Sequence, residues 1–320
     1  MEFTFRAATG KPNYPLPIDQ PIQWQSGTTS ISLGDVPQGH IIVPSFSQVV
    51  GTKQPISAYT FSINADDQHS VYLQRVPAEG KQHCARGGSE QSISTHIDCF
   101  HTHTDLSNVS LTLDLEGISP EEALLTLSIR PIAIETPKPE VNPLTVPQPK
   151  PISQMSGPAN IRQRICSPTA LTMCLSTYEQ TEASSLKWLE IVDRCHDPVS
   201  QAYGSWPLAI RAANELGIHG AVETFTDWQD AREALTGGHP IVCSINFDKG
   251  GLTGAPLSHT SGHLVVLYGI EGRQVLVMDP AAAEHADVPI QYDIEEFSKA
   301  WLHQRGAAYI FSNYAHTLSH

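Results

Sequence analysis

Seven prolines, at 131, 137, 139, 143, 147, 149 and 151, crowd the segment PIAIETPKPEVNPLTVPQPKP and set the terms on which this chain can fold. Proline fixes φ and has no N–H to donate, so a run this dense is extended and semi-rigid. It excludes a helix and permits at most a passage along a sheet edge. We therefore read 133–151 as an interdomain linker, with one domain at 1–132 and a second at 152–320. A length of 320 residues suffices for two independent cores.

Upstream of the prolines, short apolar runs recur at 41–43, 58–63, 71–76, 93–100, 109–115 and 124–132, broken by Gly, Pro, Asp and Asn. Period two in SVYLQRV and NVSLTLDL, with turn residues between runs, predicts an all-β sandwich-like domain. Only PEEALL at 120–125 hints at a helical turn. Downstream the period changes. Ala170, Leu171, Cys174, Leu175 and Tyr178 line one side of a helix that starts near Cys166, with Pro168 tolerated in its first turn. Further helices are expected at 184–195, 206–216, 227–235 and 293–303, the last opened by the capping-box-like pair Asp293 and Glu296. Strands are expected at 220–225, 241–247, 263–270, 274–279 and 307–312. Helices first and antiparallel strands later make an α+β layout.

Two features carry chemistry. Cys166, in QRICSPTALTMCL, falls at a helix start, where unpaired N–H groups and the positive end of the helix dipole favour thiolate over thiol. In SGHLVVLYGIEGRQVLVMDP, two apolar runs flank Glu271-Gly272-Arg273, a hairpin turn. Folding about 271–272 brings His263 within one residue of being opposite Asp279, so an imidazole and a carboxylate share one end of the hairpin. There the carboxylate can fix the imidazole tautomer while the other ring nitrogen takes a thiol proton. Taken singly, Cys166 also suits a small buried hydrophobe, and His263 and Asp279 suit strand-end or turn positions.

The series SQMSGPANIRQRICSPTALTMCL, YGSWPLAIRAANELG and SGHLVVLYGI with VLVMDP resembles the double-glycine (bacteriocin-leader) peptidase-like domains of the papain-like cysteine peptidase superfamily, over roughly 150–315. The resemblance implies a papain-like fold of N-terminal helices and antiparallel sheet. It also implies a thiol hydrolase with Cys166 as nucleophile, His263 as general base and acid, and Asp279 as orienter. Gln154 takes the part of oxyanion donor, with Gln163 as runner-up. Ser167 stands where that family often has Gly, which puts a side chain beside the expected oxyanion site. No transporter segment accompanies the domain, so leader processing during export is not carried over.

The competing functions are transfer of the acyl group to an amine, and a binding protein built on a papain-like fold that has lost activity. A peptide or protein is the expected substrate, with no cofactor and no metal. Cys99, His101 and His103 alternate along DCFHTHTD like zinc ligands on one strand face, but no fourth donor pattern accompanies them. His259 precedes His263 by four residues and has no strand partner that brings a carboxylate. A formal charge of −14 repels phosphate backbones and anionic membranes, so nucleic acid and membrane are not expected partners. The longest apolar run is far short of a membrane span, the first residues lack a secretory signal pattern, and six scattered cysteines suit a reducing compartment. A cytoplasmic location is the expectation. The glycine-rich stretch 248–262 leading into His263 is expected to be a mobile flap.

Overall fold

The computed structural model describes residues 1–49, 57–65, 70–78, 92–96, 98–117, 119–135, 142–178 and 188–313. Residues 136–141 of the expected linker, 184–187 of an expected helix, and Cys84 lie outside these.

The first ten strands are β1 (Phe3–Thr9), β2 (Gln20–Pro21), β3 (Thr28–Val36), β4 (His40–Gln48), β5 (Ala58–Asn64), β6 (Val71–Tyr72), β7 (Ile93–His96), β8 (Cys99–Thr102), β9 (Leu106–Glu116) and β10 (Ala123–Pro131). They form a six-stranded sheet in the order β2-β1-β10-β4-β8-β7 and a four-stranded sheet in the order β3-β9-β5-β6. One apolar cluster joins the two: Ile42, Phe46, Leu125, Leu127 and Ile129 of the first sheet meet Tyr59, Phe61, Ile63, Val109, Leu111 and Leu113 of the second. Along β4 and β10 the alternate residues Ile41, Val43 and Leu124 enter a different cluster, which fills the C-terminal part of the chain. Both strands are thus covered on both faces, which is why β4 is buried throughout and β10 at all but its last residue. This also corrects the helical hint at 120–125. Ala123, Leu124 and Leu125 open β10, because Leu124 and Leu125 have separate cores to enter on opposite faces, which a helix cannot serve.

The C-terminal part runs β11 (Leu144–Thr145), α1 (Cys166–Leu175), α2 (Trp188–Arg194), α3 (Trp206–Asn214), β12 (Ile218–Thr224), α4 (Trp228–Leu235), β13 (Ile241–Phe247), β14 (Thr260–Glu271), β15 (Gln274–Met278), β16 (Pro289–Asp293), α5 (Ile294–Ala300) and β17 (Ala307–Asn313). Its sheet has the order β12-β17-β13-β14-β15-β16, every pairing antiparallel, with β11 added beside β14. The proline segment therefore does run along a sheet: Leu144 and Thr145 pair with Ile270 and Gly269, and Val146 donates its N–H to Tyr268 O at 2.9 Å. Asp293 caps α5 by accepting from the N–H groups of Glu295 and Glu296. Glu296 turns instead to the 248–262 stretch and holds both the N–H (2.7 Å) and the hydroxyl (3.0 Å) of Thr253. Leu252 beside it is buried, so the centre of the expected flap is pinned to α5.

β12 is an edge strand, yet its edge is not open. It lies across the outer face of the six-stranded sheet, where Ser47, Ser45 and Ser128 offer their Oγ atoms to the N–H groups of Gly220 (3.1 Å), Val222 (2.9 Å) and Thr224 (3.1 Å). These are alternate residues of one strand, whose N–H groups point the same way. Serines of two β-strands thus stand in for a neighbouring backbone. Glu223, also on β12 and 1% exposed, accepts two bonds from the Arg6 guanidinium (2.8 and 2.7 Å) and one from the Tyr14 hydroxyl (2.9 Å).

Candidate active site

α1 begins at Cys166, and the residue before it, Ile165, contributes no side-chain cap. The first-turn N–H groups are accordingly left for another acceptor. The sulfur sits there against the backbone N–H groups of Ser167 and Leu264 and the ring of His263. Cys166 is partly exposed, whereas Cys99, Cys174, Cys195 and Cys243 are buried.

The ring comes from β14 and its carboxylate partner from the residue after β15. Their hairpin turns at Gly272-Arg273, with Glu271 facing Gln274, and Tyr268 is an extra residue on β14 that shifts the register. Beyond this bulge Val266 faces Met278, so continuing the register sets Asp279 opposite Val265. His263 is then two residues along the same face, a diagonal neighbour of Asp279 rather than a nearly direct one. The imidazole spans the diagonal, and His263 Nε2 lies 2.7 Å from Asp279 Oδ1. Both residues are nearly fully buried. With Nε2 engaged, Nδ1 is the nitrogen left for the sulfur.

Two further donors hold the carboxylate. Ala281 N–H reaches Oδ1 at 2.9 Å, and the Tyr292 hydroxyl on β16 reaches Oδ2 at 2.8 Å. Asp279 N–H in turn donates to Val288 O at 2.8 Å. Tyr292 was not among the expected site residues, and its only sequence signal is its place in a strand, IQYD, that follows Asp279.

Electrostatics follow from this geometry. Burial alone would raise the Cys166 thiol, but the hydrogen bond and charge of His263, with the two backbone N–H groups, outweigh it and bring the pKa below the ordinary value. Burial would lower His263, but the charge and hydrogen bond of Asp279, helped by Cys166, raise it to about 10. Burial would raise Asp279, and His263, Ala281 and Tyr292 hold it below the usual carboxylate range. Burial pushes the other four described cysteines up, Cys99 to about 12.

Gln154 and Gln163 are placed differently. Gln154 is buried in a short 3-10 turn; its N–H donates to Pro280 O at 2.8 Å, and its Nε2 to Arg162 O at 2.7 Å. It thus ties the chain after Asp279 to the chain before Cys166. Gln163 is exposed. Ser167 does not crowd the sulfur, since its side chain is buried and its hydroxyl lies 2.9 Å from that of Tyr309. His259 is exposed and paired with Ser258 Oγ at 3.0 Å. Cys99 and His101 share a face of β8, but His103 lies beyond the strand, 2.7 Å from Ser94 Oγ. Among the described residues no three His, Cys, Asp or Glu gather as metal ligands.

A helix-borne cysteine facing a strand-borne histidine and aspartate, on an α+β scaffold, is the layout of papain-like peptidase domains. The model of the Peptidase_C39 like family matches residues 147–309, just over half the chain, and the chain belongs to that family. Among solved structures, one similar chain is a double glycine motif protease from an AMS/PCAT transporter in complex with the leader peptide. It is 19% identical over 55% of this chain and 100% of that one, with a TM-score of 0.36. Another is a putative C39-like peptidase from Bacillus anthracis, 16% identical over 53% of this chain and 98% of that one, with a TM-score of 0.40. No curated protein sequence matches the chain.

Proposed function

We propose that this protein is a cysteine peptidase or amidase that works through a thioester acyl-enzyme. The observation that carries the reading is the contrast among thiols. Of the five described cysteines, only Cys166 has a pKa below the ordinary value, and it is the one that meets a buried histidine–aspartate pair. A peptide carbonyl entering beside the helix start meets a sulfur whose thiolate form is favoured by His263 and two backbone N–H groups. Attack makes the carbon–sulfur bond and moves the carbonyl electrons onto oxygen. The His263 imidazolium then gives its Nδ1 proton to the leaving amine, and as a neutral base it later takes a proton from the water that opens the thioester. Asp279 keeps the ring in the tautomer and orientation both steps require.

The transient oxyanion needs donors fixed in advance. The N–H groups at the start of α1 are one source. Gln154 Nε2 is the other in our reading, because an amide nitrogen has two hydrogens and Arg162 O takes one. We further read residues 1–132 as a sandwich-like accessory domain, on the strength of two sheets, antiparallel except for the β1–β2 pair, around one apolar cluster. The substrate is a peptide or protein.

Limited alkylation with iodoacetamide, followed by peptide mapping, tests the assignment. Cys166 is expected to be modified before all five other cysteines, and Cys166→Ser to keep the fold while losing hydrolysis of a peptide library. Earlier labelling of Cys84 or Cys99 would count against it. So would an unreactive Cys166, the outcome expected of a binding protein that has lost activity.

A further inference from the structure

A cavity of about 210 Å³ lies where the two parts of the chain meet. His101 reaches it from β8, Ile132 from just past β10, Asn246 from β13, Ser261 from the start of β14, and His303 and Arg305 from the turn between α5 and β17. Ile245 pairs directly with His263, so these two share a face of the sheet, while Ser244 and Asn246 alternate with Ile245 and stand on the other. Ser244 and Asn246 thus meet the cavity from the side of the sheet away from the imidazole of His263, while Ile245 also contributes to its wall.

Its charge runs against that of the molecule. The chain carries a formal −14, yet none of the residues lining the cavity is Asp or Glu. Behind it stands a second guanidinium. Arg130 is fully buried, and its hydrogen bonds go to main-chain carbonyls: Pro131 O (3.0 Å), Phe225 O (2.5 Å), Leu302 O (2.7 Å) and Gln304 O (3.4 Å). Burial lowers its pKa to about 10, so it remains a cation at neutral pH, one residue from the cavity wall at Gln304. Burial lowers His303 as well; Lys299 and Arg130 add to that shift, and the exposed carboxylate of Glu135 opposes it. Positive potential in a partly enclosed space favours an anion, because low local dielectric strengthens the attraction.

Size and lining narrow the choice. A space of about 210 Å³ admits a small molecule or a single chain end and excludes a folded partner. A guanidinium presents five donors in a planar fork that matches a carboxylate. The side chain of Ile132 supplies an apolar wall, which a bare inorganic anion would not use. We propose that this cavity binds a small aliphatic carboxylate, either a free short-chain acid or the C-terminus of a peptide. Arg305 takes the carboxylate, Asn246 and Ser261 donate beside it, and the carbon chain lies along Ile132. This site does not depend on the reactivity of Cys166.

Isothermal titration of the full chain with isovalerate and with N-acetylvaline, and with N-acetylvaline amide as the uncharged control, tests the proposal. Saturable binding of a carboxylate, at least about tenfold tighter than the amide, is expected. Equal affinity for the two acids points to a free acid, and tighter binding of N-acetylvaline to a peptide end. Arg305→Gln should weaken binding about 10- to 100-fold. Ser261→Glu, at an exposed rim position, should do so by repulsion without touching the core, which keeps the test decisive if the arginine variant fails to fold. The proposal is overturned if neither acid saturates below about 10 mM, if the amide binds as well as the acid, or if the folded variants bind like the parent.

Discussion

Tyr292 shows how much of this site depends on a residue that never meets a substrate. Its phenol is held protonated, by burial first and by Asp279 next, so it can only donate to Asp279 Oδ2. Tyr292→Phe leaves that buried oxygen one donor short, at a cost on the order of 1–3 kcal/mol. The carboxylate then binds a proton more readily, and its hold on His263 weakens toward acid pH. We expect alkylation of Cys166 in Tyr292→Phe to slow by about tenfold near pH 5, with a smaller effect at pH 8 and no loss of fold. Equal slowing at both pH values would indicate a purely structural role. Cys166, His263 and Asp279 stood out in the sequence because Cys166 opens a helix and Asp279 closes an apolar run, while His263 leads the apolar run of β14 although the strand itself starts three residues earlier. Tyr292 was not, since a tyrosine in a four-residue strand pattern looks the same whether its hydroxyl meets a carboxylate or water. The effect of Ser167 stays open in the sequence for a related reason: which way a first-turn side chain points depends on Tyr309, more than a hundred residues away.

At the scale of elements, the hairpin of β14 and β15 was visible in two apolar runs around a glycine, but its register was not. The bulge at Tyr268 coincides with the place where β11 joins the other side of β14, and nothing in the local pattern announces it. The edge of β12 was equally hidden. Its sequence, IHGAVET, gives no sign that its outward N–H groups end on serines of β4 and β10, because those hydroxyls look like ordinary polar positions in otherwise apolar strands. Their removal should be costly. Ser47 Oγ accepts from Gly220 N–H and from Asn214 Nδ2 (2.7 Å), and it lies 3.0 Å from His219 Nδ1. Ser47→Ala leaves buried donors unmet, and urea denaturation should register a loss of about 2–4 kcal/mol. An unchanged midpoint would mean that the β12 edge is satisfied in some other way. Gly220 itself admits no side chain, because a Cβ would meet the Phe311 ring at 2.7 Å.

For the molecule as a whole, strands precede the proline segment and a mixture of helices and strands follows it, but composition says nothing about how closely the flanking parts adhere. Ile41, Val43 and Leu124 lie in the apolar cluster of the C-terminal part, Arg130 is buried against Phe225 and Leu302, and Arg6 and Tyr14 hold the buried carboxylate of Glu223. A fragment of residues 150–320 would lose all of these at once and expose the β12 edge, a template for aggregation. We predict that this fragment is insoluble or unfolded when expressed alone, and that adding residues 1–135 in trans recovers folded material. A soluble, cooperatively melting 150–320 would contradict the prediction and mark the N-terminal part as a separable appendage.

The account stands most directly on the ionisation of one sulfur. Thiolate absorbance in the ultraviolet, taken as the difference between the parent and Cys166→Ser, reports its titration without a substrate. The account predicts a thiolate that forms below the ordinary cysteine range and persists at neutral pH, and a titration that moves to higher pH in His263→Ala, where burial is no longer opposed by the imidazolium. A Cys166 that titrates at or above the ordinary range, unmoved by loss of His263, would contradict it.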